Sequence, residues 1–301
     1  MAADYKTGVV RRLAKKGLIT PPSFVEGSTV YETIMGSMAY GVSGESSDMD
    51  IYGFCIPPKN IVFPHTAGYI PGFSTQVPNF DQYQEHHIKE RDTGKEYDLN
   101  IYSIIKYFRL VMENNPNMID SLFTAPNMVL HSTKVGNMVR DQRKMFLHKG
   151  AWHKFKGYAY GQMQKMRVKN PDEDSVRYEM VQKYGYDVKF AYHVVRLLDE
   201  AEQIMTEGDI DLMRNREQLK SIRRGEWKME DIEEHFARRE RELGSLYTSS
   251  SLRHKPDEPA ITKLLLECLE EHYGNLDSMI RAQDPAIDIL RQIKGLVKNV
   301  D

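Results

Sequence analysis

The stretch STVYETIMGSMAYGVSGESSDMDIYGF, from Ser28 to Phe54, decides how the chain is read. Its first eight residues, Ser28 to Met35, alternate apolar and polar side chains and are rich in β-branched ones, the pattern of a half-buried strand. Gly36-Ser37 follows, where that strand ends and a helix can begin. A backbone free of a Cβ, a hydroxyl and the N–H groups of a helix start can together hold a phosphate. Met49 to Ile56 reads as a second strand, stopped by Pro57-Pro58. Asp48 and Asp50 stand two positions apart at its head, and on a strand such residues share a face. Two carboxylates on one face repel unless a cation lies between them, and oxygen ligands of this kind suit Mg²⁺ or Mn²⁺. A divalent ion so held can bridge triphosphate oxygens and activate an attacking hydroxyl.

Working outward, QYQEHHIKE (82–90) and KEYDLNIYS (95–103) flank Asp92-Thr93-Gly94, whose turn chemistry predicts a hairpin. Asp98 on the second of these strands alternates with Tyr97 and Leu99. It is the candidate third carboxylate, a ligand for one metal and a base toward the attacking hydroxyl. Glu96 and Asn100 share its face under strict alternation and are the fallback choices. His86 and His87 are adjacent, so on a regular strand they point to opposite faces and no shared ion is expected. Pro57 to Phe80 reads as a long loop.

Helical spacing begins near Ser103, with apolar residues at 104, 105, 108, 111 and 112, and Asn115-Pro116 ends it. Helices are expected near 133–147, 152–167, 175–206, 209–223, 229–247, 258–273 and 284–298. The fold class is therefore α+β: a small mixed sheet with helices, followed by an all-helical region. Lys189, His193 and Arg196 fall on one helix face, a stripe that can meet a triphosphate or pair with Asp187, Glu200 and their neighbours. Tyr40 can stack on a base or pack its helix onto the sheet. Ser47 can hydrogen-bond the aspartate strand. Arg143 and His148 match an R-x4-H ribonuclease spacing, a match too short to carry weight.

Composition bounds the rest. The chain has 301 residues and a formal net charge of −2, and no apolar run approaches the roughly 18 residues of a membrane span. Its first twenty residues lack an apolar signal core. Cys55 and Cys268 form neither a disulfide framework nor a CxxC site, and a reducing cytoplasm is the expected location. From Lys134 to Lys169 there are ten Lys/Arg against one acid, Asp141, a net +9, which leaves −11 elsewhere. Aromatics interleave with these cations, and Lys156, Tyr160 and Lys165 share a rough helical face. Such a face can grip a polynucleotide or line a nucleotide pocket, or it can be a solvated surface over buried rings.

Gly-Ser, then D-x-D, then a later acid on another strand resembles the nucleotidyltransferase superfamily of DNA polymerase beta. The wording GSMAYGVSGESSDMDIYGF looks most like its bacterial and phage branch, which is linked to RNA repair. Asn114-Asn115-Pro116-Asn117, Leu122-Phe123 and the helix of Lys189, His193, Arg196 and Leu197 agree with it. The resemblance implies a catalytic domain over 1–130 and a helical domain over 131–301 that covers the cleft. It implies transfer of NMP from an NTP, ATP foremost, to a hydroxyl with Mg²⁺ or Mn²⁺ at Asp48, Asp50 and Asp98. Gly36, Ser37, Tyr40, Ser47, Lys189, His193 and Arg196 are the implied nucleotide contacts. An RNA end is the expected acceptor. Modification of a protein or small molecule, and a non-catalytic nucleotide sensor, are the competing readings.

Overall fold

The structure, a computed structural model, describes residues 8–44, 48–68, 70, 79–168 and 176–274. Ser47, part of the 57–80 loop and the helix expected near 284–298 lie outside these residues. Five strands form one mixed sheet: β1 Thr29–Ile34, β2 Met49–Cys55, β3 Gln82–Glu90, β4 Lys95–Ser103 and β5 Val129–Ser132. Their order is β3-β4-β2-β1-β5. Only the central β2–β4 pair is parallel, and the other pairs are antiparallel. The hairpin expected at 82–103 forms over those residues.

Helices α1 Val9–Lys15 and α2 Ser23–Ser28 precede the sheet, and α3 Gly36–Ala39 and α4 Lys59–Val62 are single turns between its strands. Helices α5 Ile104–Met112 and α6 Pro116–Phe123 follow β4. After β5 the described chain is helical, through α7 Lys134–Asp141, α8 Gly150–Val168, α9 Val176–Tyr184, α10 Val188–Glu207, α11 Arg216–Arg223, α12 Met229–Ser249 and α13 Glu258–Tyr273. The helix expected over 175–206 is two helices. Gly185 takes φ +82°, a left-handed conformation that ends α9. The Asp187 carboxylate then accepts the N–H groups of Lys189 and Phe190 at 2.8 and 3.4 Å and starts α10. Of the helix expected over 209–223, only 216–223 is helical; Asp211 and Asp209 side chains hold the preceding turn instead.

Strand alternation divides the sheet's residues between two cores. Ile51, Leu99 and Ile101 face Val9 and Leu13 of α1. On the other side, Tyr31, Phe54 and Tyr107 stack with ring centroids 5.6 and 4.5 Å apart. That second core continues without a break into α8, α10 and α12. The expected boundary at 130/131 falls inside β5, which pairs with β1. Asp50, Tyr52 and Phe54 alternate on this second face, so the carboxylate end of β2 lies on the side that the helices cover. No helix among the described residues is long and apolar enough to cross a membrane.

Candidate active site

β1 hands the chain to α3 through Gly36, whose φ is +64°. A Cβ at Gly36 would stand 1.9 Å from Oδ2 of Asp50, so a side chain there must displace the carboxylate. Glycine is required twice over, by the left-handed backbone and by this close approach. The Met35 N–H donates to the Asp50 carbonyl at 2.7 Å, and the Val42 N–H donates to the Ser37 carbonyl at 2.9 Å. The Gly36-Ser37 turn is thus fastened beside the head of β2.

Asp50 lies opposite Asp98 in the parallel register of β2 and β4, and neighbouring residues of paired strands share a face. Burial, and then the charge of Asp98, push the half-buried Asp50 carboxyl up to about 6, with Asp48 adding to the effect and Lys189 and His86 opposing it. Asp48 is raised by burial first, then by Glu96 and Asp98, against His87 and Lys189. The three expected carboxylates therefore act on one another, and Lys189, at the start of α10, acts on two of them.

The adjacent histidines do not diverge as regular alternation predicts. A bulge between Glu85 and Ile88 sets two residues of β3 against one of β4, and His87 takes φ +56°. The His87 N–H donates to Asp98 Oδ1 at 2.8 Å, and His86 Nδ1 lies 3.2 Å from Asp98 Oδ2. His87 Nδ1 meets Glu96 Oε1 at 2.7 Å, and Glu96 raises the imidazole's pKa. Asp98 and Glu96 are two apart on one face, so both histidines serve the acidic face. The extra residue of a bulge leaves no periodic trace, which is why sequence reasoning missed this pair.

Carboxylate oxygens whose negative charges raise one another suit a hard divalent cation in kind. Among the described residues, no three His, Cys, Asp or Glu side chains come close enough together to hold one; Asp98 is turned to the β3 bulge instead. The residues fit such an ion by chemistry and register.

The basic stripe of α10 grades from open to buried. Lys189 is exposed, and His193 sets its ring edge-on to Tyr40 at 6.4 Å. Arg196 is 4% exposed, donates to Asp120 and to both Glu200 oxygens, and stacks over Tyr40 at 4.2 Å. The Tyr40 hydroxyl donates to Asp120 at 2.8 Å. Of the two roles open to Tyr40 and Arg196, the structure places both in packing between α3 and α10. Periodicity located the stripe; it carried no signal that Asp120 of α6 would close on it.

Five cations of the basic window are paired as well. Lys134, Lys144, Lys154, Lys156 and Arg167 meet Glu271, Asp209, Glu113, Glu240 and Glu233 at 2.5–3.3 Å. Lys165 lies over the Phe190 ring, and Tyr160 is exposed. Phe146, Trp152 and Phe155 are buried beneath. His148 is buried, with its ring nitrogens on the Met112 carbonyl and the Gly150 N–H, a structural setting for the R-x4-H histidine.

The family model described as the RNA repair pathway DNA polymerase beta family matches residues 14–281. A curated relative, an uncharacterized 38.9 kDa protein in the nrdC-mobD intergenic region of enterobacteria phage T4, is 26% identical over 143 residues. That match covers 47% of this chain and 39% of the relative, so the chain spans well under half of that protein. A nucleotidyltransferase-like protein from Exiguobacterium sibiricum 255-15, solved as a crystal structure, aligns over 87% of this chain and 79% of its own, at 10% identity. Its TM-score of 0.28 is too low for the superposition to carry an argument.

Proposed function

The chain belongs to the RNA repair pathway DNA polymerase beta family, and on that premise we propose that it is a cytoplasmic nucleotidyltransferase that moves NMP from an NTP, ATP foremost, to a hydroxyl of an RNA end. One observation carries the reading: Asp50 and Asp98 stand in register, with Asp50 against the Gly36 turn. In this reading the five-stranded sheet, which β5 carries past residue 130 to Ser132, belongs to the catalytic part, and the described helices from α7 onward cover it.

In this reading the donor triphosphate lies over Gly36-Ser37, where N–H groups and a hydroxyl meet its oxygens. Ser47 adds a hydroxyl at the aspartate strand. Lys189 supplies a cation opposite Asp48 and Asp50, and His193 borders the same side. Asp48, Asp50 and Asp98 would hold Mg²⁺ or Mn²⁺, which when bound offsets phosphate charge and lowers the pKa of a hydroxyl. The acceptor oxygen forms a bond to the α-phosphorus as the bond from that phosphorus to the β-phosphate oxygen breaks. Pyrophosphate leaves, and the hydroxyl proton passes to Asp98 Oδ2, beside His86 Nδ1. Tyr40 and Arg196 act through the packing of α3. Positioning and electrostatics supply most of the catalysis in such transfers.

A second acceptor class, a protein or small molecule, is favoured by the ion pairing of the 134–169 window. Cations already matched by acids offer a polynucleotide less charge, which leaves Tyr160 and Lys165 as the proposed RNA contacts and weakens the part of Lys156. The test uses purified protein, Mg²⁺ or Mn²⁺, each α-labelled NTP in turn, and bulk RNA with protein extract. Label on RNA that is lost in an Asp48→Ala, Asp50→Ala double variant is the expected result. Label on protein transfers the reading to the second class. Equal labelling by wild type and variant overturns both.

A further inference from the structure

Away from the acidic face, an open cleft of about 360 Å³ lies at the start of α12, lined by Glu226, Trp227, Asp231, Glu234, His235 and Arg238. That volume is at the low end of the roughly 300–1,000 Å³ usual for small-molecule sites. The last four of these residues stand at i, i+3, i+4 and i+7, one face of the helix. His235 is 6% exposed. Its Nδ1 lies 3.2 Å from Arg238 Nη2. A guanidinium has only donors, so Nδ1 accepts and the proton sits on Nε2. Burial first, then Arg238 and Arg239, push the imidazole down to about 4, so the ring is neutral near pH 7. Its Nε2–H is buried and has no acceptor among the described residues. Buried donors rarely stay unmatched in folded proteins.

The walls around this donor are fixed. Trp227 Nε1 donates to Ser221 Oγ at 3.1 Å, and the Tyr186 hydroxyl donates to the Trp227 carbonyl at 2.6 Å. The Trp227 ring meets His235 at 72° with centroids 5.6 Å apart. Asp231 accepts the Lys228 N–H at 2.7 Å and so holds its carboxylate at the head of the helix. Glu234 is exposed at the rim.

A ligand for this cleft needs an acceptor for His235 Nε2–H, donors for a carboxylate, and a flat face for Trp227. Phosphate alone would meet three carboxylates, Glu226, Asp231 and Glu234, against the one guanidinium of Arg238, so a phosphate-bearing ligand would enter by another part. A polyamine has no acceptor to offer. A metal ion is not favoured, because the Arg238 guanidinium holds His235 Nδ1 and puts a cation in the cleft. Guanine meets every requirement along one edge: O6 accepts, and the adjacent N1–H and N2–H groups donate to a carboxylate. We propose that this cleft binds a guanine base, carried by an RNA strand or by a free nucleotide, with His235 on O6, Glu234 on N1–H and N2–H, and Trp227 against the ring. The proposal stands on the cleft's own residues and is independent of the transfer chemistry at Asp50 and Asp98.

Isothermal titration of the full chain tests it with GMP, UMP, and two short RNA oligomers, one with a single guanosine among uridines and one of uridines alone. GMP binding at least about tenfold tighter than UMP is expected, because the uracil edge lacks the amino donor. Glu234→Ala, an exposed change that leaves folding intact, weakens GMP about tenfold or more. His235→Phe does the same, with circular dichroism reporting its fold. Asp50→Asn leaves GMP affinity unchanged, which separates this cleft from the acidic face even if no transferase activity is found. A guanosine oligomer tighter than GMP identifies RNA as the source, and equal affinity identifies the free nucleotide; both support the site. Binding that ignores base identity, that survives Glu234→Ala unchanged, or that Asp50→Asn abolishes overturns it.

Discussion

Asp120 on one side and Asp50 with Asp98 on the other lie within electrostatic reach of Tyr52, and the acids of these two groups are answered differently. Asp120 and Glu200 are buried and close on Arg196, which Tyr40 covers. Asp48 and Asp50 instead lie within electrostatic reach of each other and of Asp98, which turns to the β3 bulge, and Lys189 opposes the charge of these acids at both. The first group has its countercharge within the chain and joins α6, α10 and α3. Burial raises acids of both groups; at Asp120 and Glu200 the Arg196 charge opposes that rise, whereas at Asp48 and Asp50 the charge of Asp98 adds to it. A carboxyl raised by burial and then by neighbouring acids opposes folding where it is ionised, and acids that lack a countercharge concentrate where a ligand or reaction supplies it. The contrast separates a network closed by its own countercharge from the group proposed to be catalytic.

The paired group should show the largest effect on stability. Arg196→Ala leaves Asp120 and Glu200 buried without a countercharge, and a loss of about 3–5 kcal/mol is expected by chemical denaturation. A loss below ~1 kcal/mol would erase the contrast. At the other group, Gly36→Ala drives a Cβ into Asp50 Oδ2 from a left-handed backbone. It should cost about 1–3 kcal/mol and lower the rate of pyrophosphate release on the order of 100-fold, since displaced reacting groups are costly.

pH sharpens the comparison further. The Asp50 carboxyl moves from 3.8 up to about 6 on folding. Its folded form is the better proton acceptor, so its stabilising contribution is full below pH ~4 and is lost as pH rises through about 6. Asp50→Asn should remove that loss, leaving the variant more stable than wild type above pH 6 by ~1–2 kcal/mol after solvent screening. Thermal unfolding from pH 4 to pH 8 reads it directly. The smallest effect is expected at the surface: Lys156→Ala breaks a pair with Glu240 and should change stability by about 0.5 kcal/mol or less. Labelling of RNA should hardly change, and a fall of tenfold would restore Lys156 as a nucleic-acid contact.

Much of the sheet was legible from the residues. The β3–β4 hairpin announced itself through Asp92-Thr93-Gly94 and two alternating runs, and the D-x-D spacing placed Asp50 at the head of a strand. Strand β5 was not legible, because Val129–Ser132 is four residues long and has no period to detect. The interruption at Gly185 sits in a run whose apolar spacing passes for one helix. The site was legible where local spacing sets geometry and illegible where tertiary contact does. Nothing near Arg196 in sequence identifies Asp120 as its partner, and nothing in HH identifies a bulge that turns both rings toward β4. The positive window from 134 to 169 was visible in composition, but its acidic partners come from positions as distant as Glu271.

The most direct test of the contrast compares wild type with Asp50→Asn at matched folded fraction, reading pyrophosphate release from each NTP alongside the unfolding midpoint. The account predicts that release falls on the order of 10²–10³-fold or more while the midpoint near neutral pH stays level or rises. Release at the wild-type rate, or a fall explained by a lower midpoint, would contradict it.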